Sequence, residues 1–112
     1  MKIPGGERAI LNAAKVRDYL LSREHRVGSA KARFFAQLGF DHRNWTVLRD
    51  ALRRFAQDDA RLGAATRFGQ KYVVLGTIQG PSGRDARLVV VWIILAGEDS
   101  PRFVTAYPGV KS

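Results

Sequence analysis

The residues with the clearest potential for chemistry lie at the start of a predicted helix. At about 100° per residue, Lys31 lies in the middle of the apolar side of this helix, beside Phe34 and Phe35. Burying an ammonium group costs free energy without a partner, so Lys31 is expected either to meet an anion or to extend past the helix start into water. Ser29 is the predicted N-cap of this helix, at whose start free backbone N–H groups suit a phosphate oxygen. His25 lies one short loop earlier and can donate or accept a proton at neutral pH.

A second group of polar residues lies in the predicted last strand. Thr105 and Tyr107 alternate along it, which directs both hydroxyl groups to one face where they could bind a phosphate or shift a proton. The alternative is the ordinary β-propensity of both residue types. Arg102 begins the strand and could clamp a phosphate. Trp92 could stack a base from the same face, which also carries Lys71, although a core position is more usual for tryptophan.

Several other classes of site lack the residues they need. The chain has no cysteine, which excludes disulfides, thiolate metal sites and cysteine nucleophiles. Motifs of zinc peptidases, P-loop enzymes, dinucleotide-binding proteins and serine hydrolases are absent from the sequence. The acidic pairs Asp58–Asp59 and Glu98–Asp99 fall at a helix end and in a turn, so a carboxylate metal cage is not expected. We therefore expect neither a metal ion nor a cofactor.

The charge of the chain favours a polyanionic partner. Nineteen Lys and Arg residues against ten Asp and Glu residues give a formal net charge of +9, and the excess is spread along the whole chain. Such a balance is typical of proteins that bind nucleic acid or an acidic protein, although a GC-rich genome alone would also enrich arginine. Arg49, Arg53 and Arg54 share the polar side of one predicted helix, where a solvated surface is the first interpretation and a polyanion contact the second.

The elements that must position these residues divide the chain into two parts. The length of 112 residues suits one domain over 1–112. Its helical part is predicted over about 12–58 and its sheet part over about 70–108. Helices are predicted from Ala13 to about Leu21 after an Asn12 N-cap, over Ala30–Leu38, and from after Asn44 to about Gln57. A short edge strand is predicted over 9–11, and residues 60–69 are predicted to be a connecting loop.

From Lys71 onward the residue types favour strands. Segments 71–79, 84–96 and 101–108 are rich in valine, isoleucine and aromatic residues and are joined by the short turns GPSG and GEDS. Helices followed by an antiparallel meander of three or four strands describe an α+β fold. Pairing across the first turn predicts Gln79 opposite Arg84, and pairing across the second predicts Ala96 opposite Pro101.

This predicted register assigns the strand residues to two faces, and a slip of one residue would exchange them. The face predicted to meet the core carries Tyr72, Val74, Ile78, Val89, Val91, Ile93, Leu95 and Val104. The face predicted to be partly open and to meet a ligand carries Lys71, Val73, Leu75, Thr77, Val90, Trp92, Phe103, Thr105 and Tyr107.

Four segments, YLLSREHRVGSAKARFFAQLGF, KYVVLGTIQGPSGR, VWII and PRFVTAY, form a distinctive pattern over about residues 15–108. The pattern resembles a small bacterial toxin-like domain family, which is similar to the barnase–EndoU–colicin–RelE group of metal-independent ribonucleases. Arg26 departs from it by standing where the pattern has proline. The resemblance implies helices packed on a small antiparallel sheet, and an RNA-cleaving toxin that a small acidic antitoxin or immunity protein neutralises. The matching positions are His25, Lys31, Trp92, Arg102, Thr105 and Tyr107.

The leading hypothesis is therefore a metal-independent endoribonuclease of toxin type, in which the 2′-OH of RNA is the nucleophile. Its predicted catalytic residues are His25 as base or acid, Lys31 and Arg102 as phosphate-neutralising cations, and Thr105 and Tyr107 as orienting hydroxyls. Its predicted substrate contacts are Ser29, Arg33, Lys71 and Trp92. The alternative is a non-catalytic basic module that binds nucleic acid or an acidic partner, as an accessory or immunity-like component. No apolar run reaches bilayer length and the N-terminus lacks a signal-peptide core, so we expect a cytoplasmic protein without membrane contact.

Overall fold

The computed structural model describes residues 1–21 and 28–109. The helical elements are a 3₁₀ turn Gly6–Arg8, a π-helix Ala14–Leu20, helix α1 Gly28–Gln37, a 3₁₀ turn His42–Asn44 and helix α2 Trp45–Phe55. The strands are β1 Arg61–Thr66, β2 Gly69–Gln79, β3 Asp85–Leu95 and β4 Arg102–Pro108. They form one antiparallel sheet in the order β1-β2-β3-β4. The predicted α+β fold with helices before a meander is confirmed.

The helix boundaries follow from local capping chemistry. The Asn12 side chain accepts a hydrogen bond from the backbone N–H of Ala14 at 2.8 Å, as an N-cap does. Asp41 caps the 3₁₀ turn before α2 by accepting from Arg43 and Asn44. Beyond the end of α1, Gly39 adopts φ +96°, a left-handed conformation that glycine allows without strain.

Two sequence predictions about the sheet edges need correction. Residues 60–69 are not a connecting loop, because Arg61–Thr66 pairs with β2 through the turn Arg67–Phe68. This strand escapes a search for apolar alternation since it is an edge strand with most residues exposed. At the other edge, the predicted strand over 9–11 is reduced to a single bridge, in which Ile10 pairs with Arg102 in parallel.

The predicted β2–β3 register is wrong by one residue. Gln79 pairs with Asp85 instead of Arg84, because Gly80 donates a backbone hydrogen bond to the carbonyl of Arg84 and keeps that residue in the turn. One more residue in the turn directs the opposite set of β3 side chains to the helices. Trp92 therefore lies opposite Tyr72, and the valines at 89 and 91 leave the core face.

The predicted β3–β4 register is also wrong, because Ile93 pairs with Arg102 where the prediction pairs it with Val104. A bulge in β4 then shifts the pairing by one residue, so that the rest of the strand differs from the prediction by one residue. Val91 pairs with Thr105 while Trp92 pairs with Phe103, which leaves Val104 as an extra residue. Phe103 and Ala106 are both buried although they are three positions apart, a spacing that a regular strand cannot direct to one face.

The core lies between the helices and one face of the sheet. The strand residues that form it are Tyr72, Val74, Ile78, Leu88, Val90, Trp92, Phe103 and Ala106. Gly76 belongs to the same face, and a Cβ there would lie 2.9 Å from the ring of Phe55 on α2. None of the strand residues directed to the opposite face is buried, so none of the described elements covers that face.

Candidate functional site

A cleft opens where the π-helix lies along the outer edge of β4. Its volume is about 510 Å³, and it is lined by Asn12, Ala14, Lys15, Val104 and Thr105. The Lys15 ammonium donates to the backbone carbonyl of Val104 at 3.4 Å, and among residues 1–21 and 28–109 it has no carboxylate within ion-pair distance. We refer to this space as the β4 cleft. It thus brings together the ammonium group of Lys15, the hydroxyl group of Thr105 and the strand bulge at Val104.

The structure brings Lys31 and Thr105 together beside the β4 cleft. The Lys31 Nζ atom donates to the Thr105 Oγ1 atom at 2.7 Å, in a partly buried contact between residues 74 positions apart. Lys31 is half-buried on α1 and does not extend past the helix start into bulk water. Thr105 lines the cleft itself, so the amine reaches the cleft wall through this hydroxyl group. Two of the residues predicted to be catalytic therefore share one contact.

Both sides of this contact depend on irregular local structure. The π-helix is a rare element that is frequently found at functional sites, and the bulge at Val104 changes the direction of the side chains that follow it. Helix α1 packs against the π-helix, and this packing brings Lys31 towards the edge strand.

Arg102 and Tyr107 lie on either side of this contact along β4. The guanidinium group of Arg102 donates two hydrogen bonds to the Glu98 carboxylate, at 2.8 and 3.0 Å. These bonds lower the pKa of Glu98 and raise the pKa of Arg102. Tyr107 is 42% exposed and pairs with Val89 on the uncovered face of the sheet. The catalytic roles of both residues stay predictions.

Trp92 lies in the core, not on a ligand-facing surface. Its side chain is fully buried, and its ring packs edge-on against Phe103 with centroids 5.7 Å apart. A base cannot stack on a ring that is covered on all sides, so the expected placement of this residue is corrected. The cause is the β2–β3 register, which turns Trp92 towards the helices.

The other predicted substrate contacts are spread over the molecule. Lys71 is half-buried and pairs with Ile93 on the uncovered face, on a strand that does not border β4. Arg33 is exposed on α1. The side chain of Ser29 and the whole of His25 lie outside the described residues. Within the described part of the chain, neither Lys71 nor Arg33 joins the hydrogen bond between Lys31 and Thr105.

Sequence reasoning missed Lys15, whose amine lies at the β4 cleft. The Asn12 cap and the predicted helix were correct, and a lysine in a first helical turn is ordinary in sequence terms. Its position follows from the packing of the π-helix against β4, and no local pattern in the sequence encodes that packing.

Comparisons with known proteins relate the chain to one family and to a solved complex. A family model described as a domain of unknown function (DUF6883) matches residues 2–110. A chain of a contact-dependent growth inhibition toxin–immunity protein complex from Klebsiella pneumoniae 342 is similar in structure, with a TM-score of 0.70 and 18% sequence identity. The similarity covers 89% of this chain and 99% of that chain. No curated protein matches significantly. Within residues 1–21 and 28–109, no helix has the length and apolar character needed to cross a membrane.

Proposed function

The chain belongs to the DUF6883 family of domains of unknown function, and we propose that it is the toxin of a toxin–immunity pair and cleaves RNA without a metal ion. The observation that carries this proposal is the partly buried contact between Lys31 and Thr105 beside the β4 cleft. The net charge of +9 supports an anionic substrate. The fold, which it shares with a chain of a toxin–immunity complex, supports the toxin system.

The reaction needs only groups that this chain and RNA supply. The 2′-oxygen of a nucleotide attacks the adjacent phosphorus, and the bond from phosphorus to the 5′-oxygen breaks. A base takes the proton of the 2′-OH, and an acid gives a proton to the departing 5′-oxygen. The products are a 2′,3′-cyclic phosphate and a 5′-hydroxyl end. Negative charge grows on the phosphate oxygens in the transition state, where positioned cations stabilise it.

Lys31 and Lys15 suit the role of those cations. Because Thr105 accepts a hydrogen bond from Lys31, the amine is held in one orientation before the substrate binds. Lys15 adds a second ammonium group, which lines the β4 cleft and donates to the carbonyl of Val104 next to Thr105. Tyr107 and Arg102 are assigned orienting and charge-neutralising roles nearby on β4. His25, six positions before Lys31 in the sequence, is assigned the proton transfers on the chemistry of imidazole.

The test is cleavage of total RNA by the purified chain in EDTA. We expect wild-type protein to produce fragments with cyclic phosphate ends. Lys31→Met keeps the apolar stem and removes the amine, and it should lower the rate by about a hundredfold or more, as loss of a positioned transition-state donor does. The matched control is Lys2→Met, which also removes one hydrogen-bonded lysine amine, here on the β1 side of the sheet. Its rate should stay within about threefold of wild type.

Two results would contradict the proposal. One is the absence of cleavage at high protein concentration, and the other is equal activity of the Lys31 and Lys2 variants. His25→Ala extends the test to the residue assigned the proton transfers.

A second candidate is a non-catalytic, immunity-like or nucleic-acid-binding module. It is favoured by one observation, namely that the similar solved chain belongs to a complex of a toxin with its immunity protein, so the shared fold fits either component. This role predicts salt-sensitive binding without turnover. Expression of the chain in bacteria separates the two roles, because a toxin arrests growth unless its partner is present and an immunity-like protein does not.

A further inference from the structure

The face of the sheet that no described element covers has an unusual composition. In an antiparallel sheet with one solvated face, apolar and polar residues alternate along each strand. Strand β3 does not alternate, because residues 88–95 are apolar on both faces. The uncovered face consequently has an aliphatic centre formed by Val73, Leu75, Val89, Val91 and Ile93. Strands that are apolar on both sides are typical of sheets covered on both sides.

The exposure of this centre is high for its size. Leu75 is 48% exposed and Tyr107, at the β4 side of the face, is 42% exposed. Val73, Val89, Val91 and Ile93 are half-buried, and no described helix lies over them. Contiguous apolar surface of this kind, bordered by polar residues, marks an interaction site on a protein.

The border of this face is predominantly basic. Four basic residues share the face, namely Arg61, Lys71, Arg87 and Arg102. Three acidic residues lie at its margins: Glu98, which is bound to Arg102, Asp85 beside the β2–β3 turn, and Asp59, which lines a cavity with Arg61, Val73 and Leu75 and lies 3.8 Å from the N-terminal ammonium group. The surface thus combines an aliphatic centre with a net positive border. A second copy of this chain would bring two such borders together, which like-charge repulsion disfavours.

The residue types distinguish a protein from a nucleic acid as the occupant. Nucleic-acid platforms rely on aromatic rings that stack on bases, and Tyr107 is the one aromatic residue on this face in the described part of the chain. Branched aliphatic side chains offer no flat surface to a base, but they pack well against the side chains of a protein.

We infer that the uncovered face, centred on Leu75 and Val89 and bordered by Arg61, Lys71 and Arg87, is the docking surface for an acidic partner protein. The partner supplies an apolar patch to the aliphatic centre and carboxylates to the basic border. This inference deepens the proposed function by naming the surface that the immunity protein contacts. The surface meets the residues assigned to catalysis along β4, where Thr105 pairs with Val91 and Tyr107 pairs with Val89, but its centre at Leu75 lies two strands away. Docking there does not depend on whether the chain cleaves RNA.

The test uses two matched substitutions. Leu75 and Val47 are 48% and 49% exposed, and Val47 lies on α2, away from the uncovered face. Leu75→Glu and Val47→Glu therefore introduce the same charge at equally exposed aliphatic positions. The probe is the protein encoded by the gene adjacent to the one for this chain, with binding measured by calorimetry. We expect Leu75→Glu to raise Kd by about thirtyfold or more, as substitution at an interface centre does, and Val47→Glu to change it less than about threefold.

A third variant tests the charged border without touching the aliphatic centre. Arg87 is exposed, and within the described residues its side chain donates a hydrogen bond only to the hydroxyl group of Thr77. Arg87→Glu should slow association and reduce its dependence on salt concentration, because the border steers the acidic partner. Urea unfolding of each variant confirms that the fold is intact.

Four outcomes would overturn the inference. The first is that the adjacent gene product does not bind wild-type protein, and the second is that it binds the Leu75 and Val47 variants equally well. The third is a wild-type dimer in sedimentation that Leu75→Glu dissociates, which would make a second copy the occupant. The fourth is that Leu75→Glu loses RNA binding and keeps protein binding. RNA cleavage by the isolated chain is measured in parallel and should be unaffected by Leu75→Glu, so failure of the docking surface and failure of the nuclease proposal are separate results.

Discussion

The hydrogen bond between Lys31 and Thr105 can be tested by a double-mutant cycle. Thr105→Val is nearly isosteric and removes only the acceptor, and Lys31→Met removes the donor but keeps the apolar stem. A hydrogen bond to a charged group contributes roughly 1.5–3 kcal/mol, and this one is partly buried, at 2.7 Å. Each single substitution is expected to lower the free energy of unfolding by about 1–2 kcal/mol, with a coupling energy of about 1 kcal/mol or more. Thr105→Ser retains the hydroxyl group and should lie within about 0.5 kcal/mol of wild type.

Stability alone does not show that the contact serves catalysis, so the four proteins of the cycle and Thr105→Ser are assayed for cleavage of total RNA in EDTA. If Thr105 positions the amine, Thr105→Val should lower the rate by about tenfold or more even where it is fully folded, and Thr105→Ser should recover most of it. The double variant should be no slower than Lys31→Met, because a positioning residue has nothing left to position.

The result that refutes this reasoning is specific. Zero coupling in urea unfolding would mean that the two side chains do not meet in solution. Clear coupling in stability together with full cleavage activity in Thr105→Val would mean that the contact only stabilises the fold. The control is Lys2→Met, whose amine donates to the carbonyl of Gln57 on the β1 side of the sheet.

Two further predictions concern residues whose placement differs from the sequence expectation or is fixed by an ion pair. The variant Trp45→Phe leaves Trp92 as the one tryptophan of the chain, and this residue is buried. Its fluorescence should therefore be blue-shifted, poorly quenched by acrylamide and unchanged by RNA. Quenching by RNA would put Trp92 at the surface. The hydrogen bonds from Arg102 lower the pKa of Glu98 in the folded chain. The pair therefore stabilises the fold at pH values above the ordinary pKa of glutamate. This stabilisation is lost as the pH falls through the lowered pKa. Between about pH 5 and pH 3, urea unfolding should show a slightly larger loss of stability for wild type than for Glu98→Gln; parallel curves would mean that the pair does not form.

The helices could be predicted because their signals are local. The Asn12 cap, the left-handed Gly39 and the apolar periodicity of residues 45–55 each depend on neighbours within a few positions. The prediction of α1 from the sequence was correct to within two residues at its start. Strand β1 lacked such a signal, because an exposed edge strand does not need an apolar face.

The faces of the sheet could not be predicted because they depend on the length of one turn. Assigning Arg84 to β3 instead of the turn shifts the register by one residue, and every β3 side chain then changes face. Since β3 is apolar on both faces, its sequence contains nothing that favours one register over the other. The same ambiguity placed Trp92 on the ligand side, although its size suits the core.

The candidate site was only partly accessible to sequence reasoning, for a related reason. Lys31 could be found since a cation on an apolar stripe is a local anomaly, and Thr105 could be found as a hydroxyl in the last strand. That the two meet depends on the bulge at Val104, which lets Phe103 and Ala106 both enter the core and leaves Thr105 at the cleft wall. In a regular strand, Thr105 would share the face of Phe103 and Ala106 would leave the core. The bulge therefore both preserves the packing of β4 and places its hydroxyl residue beside the amine, which is a physical reason to expect that removing Val104 would disrupt the contact and the core together.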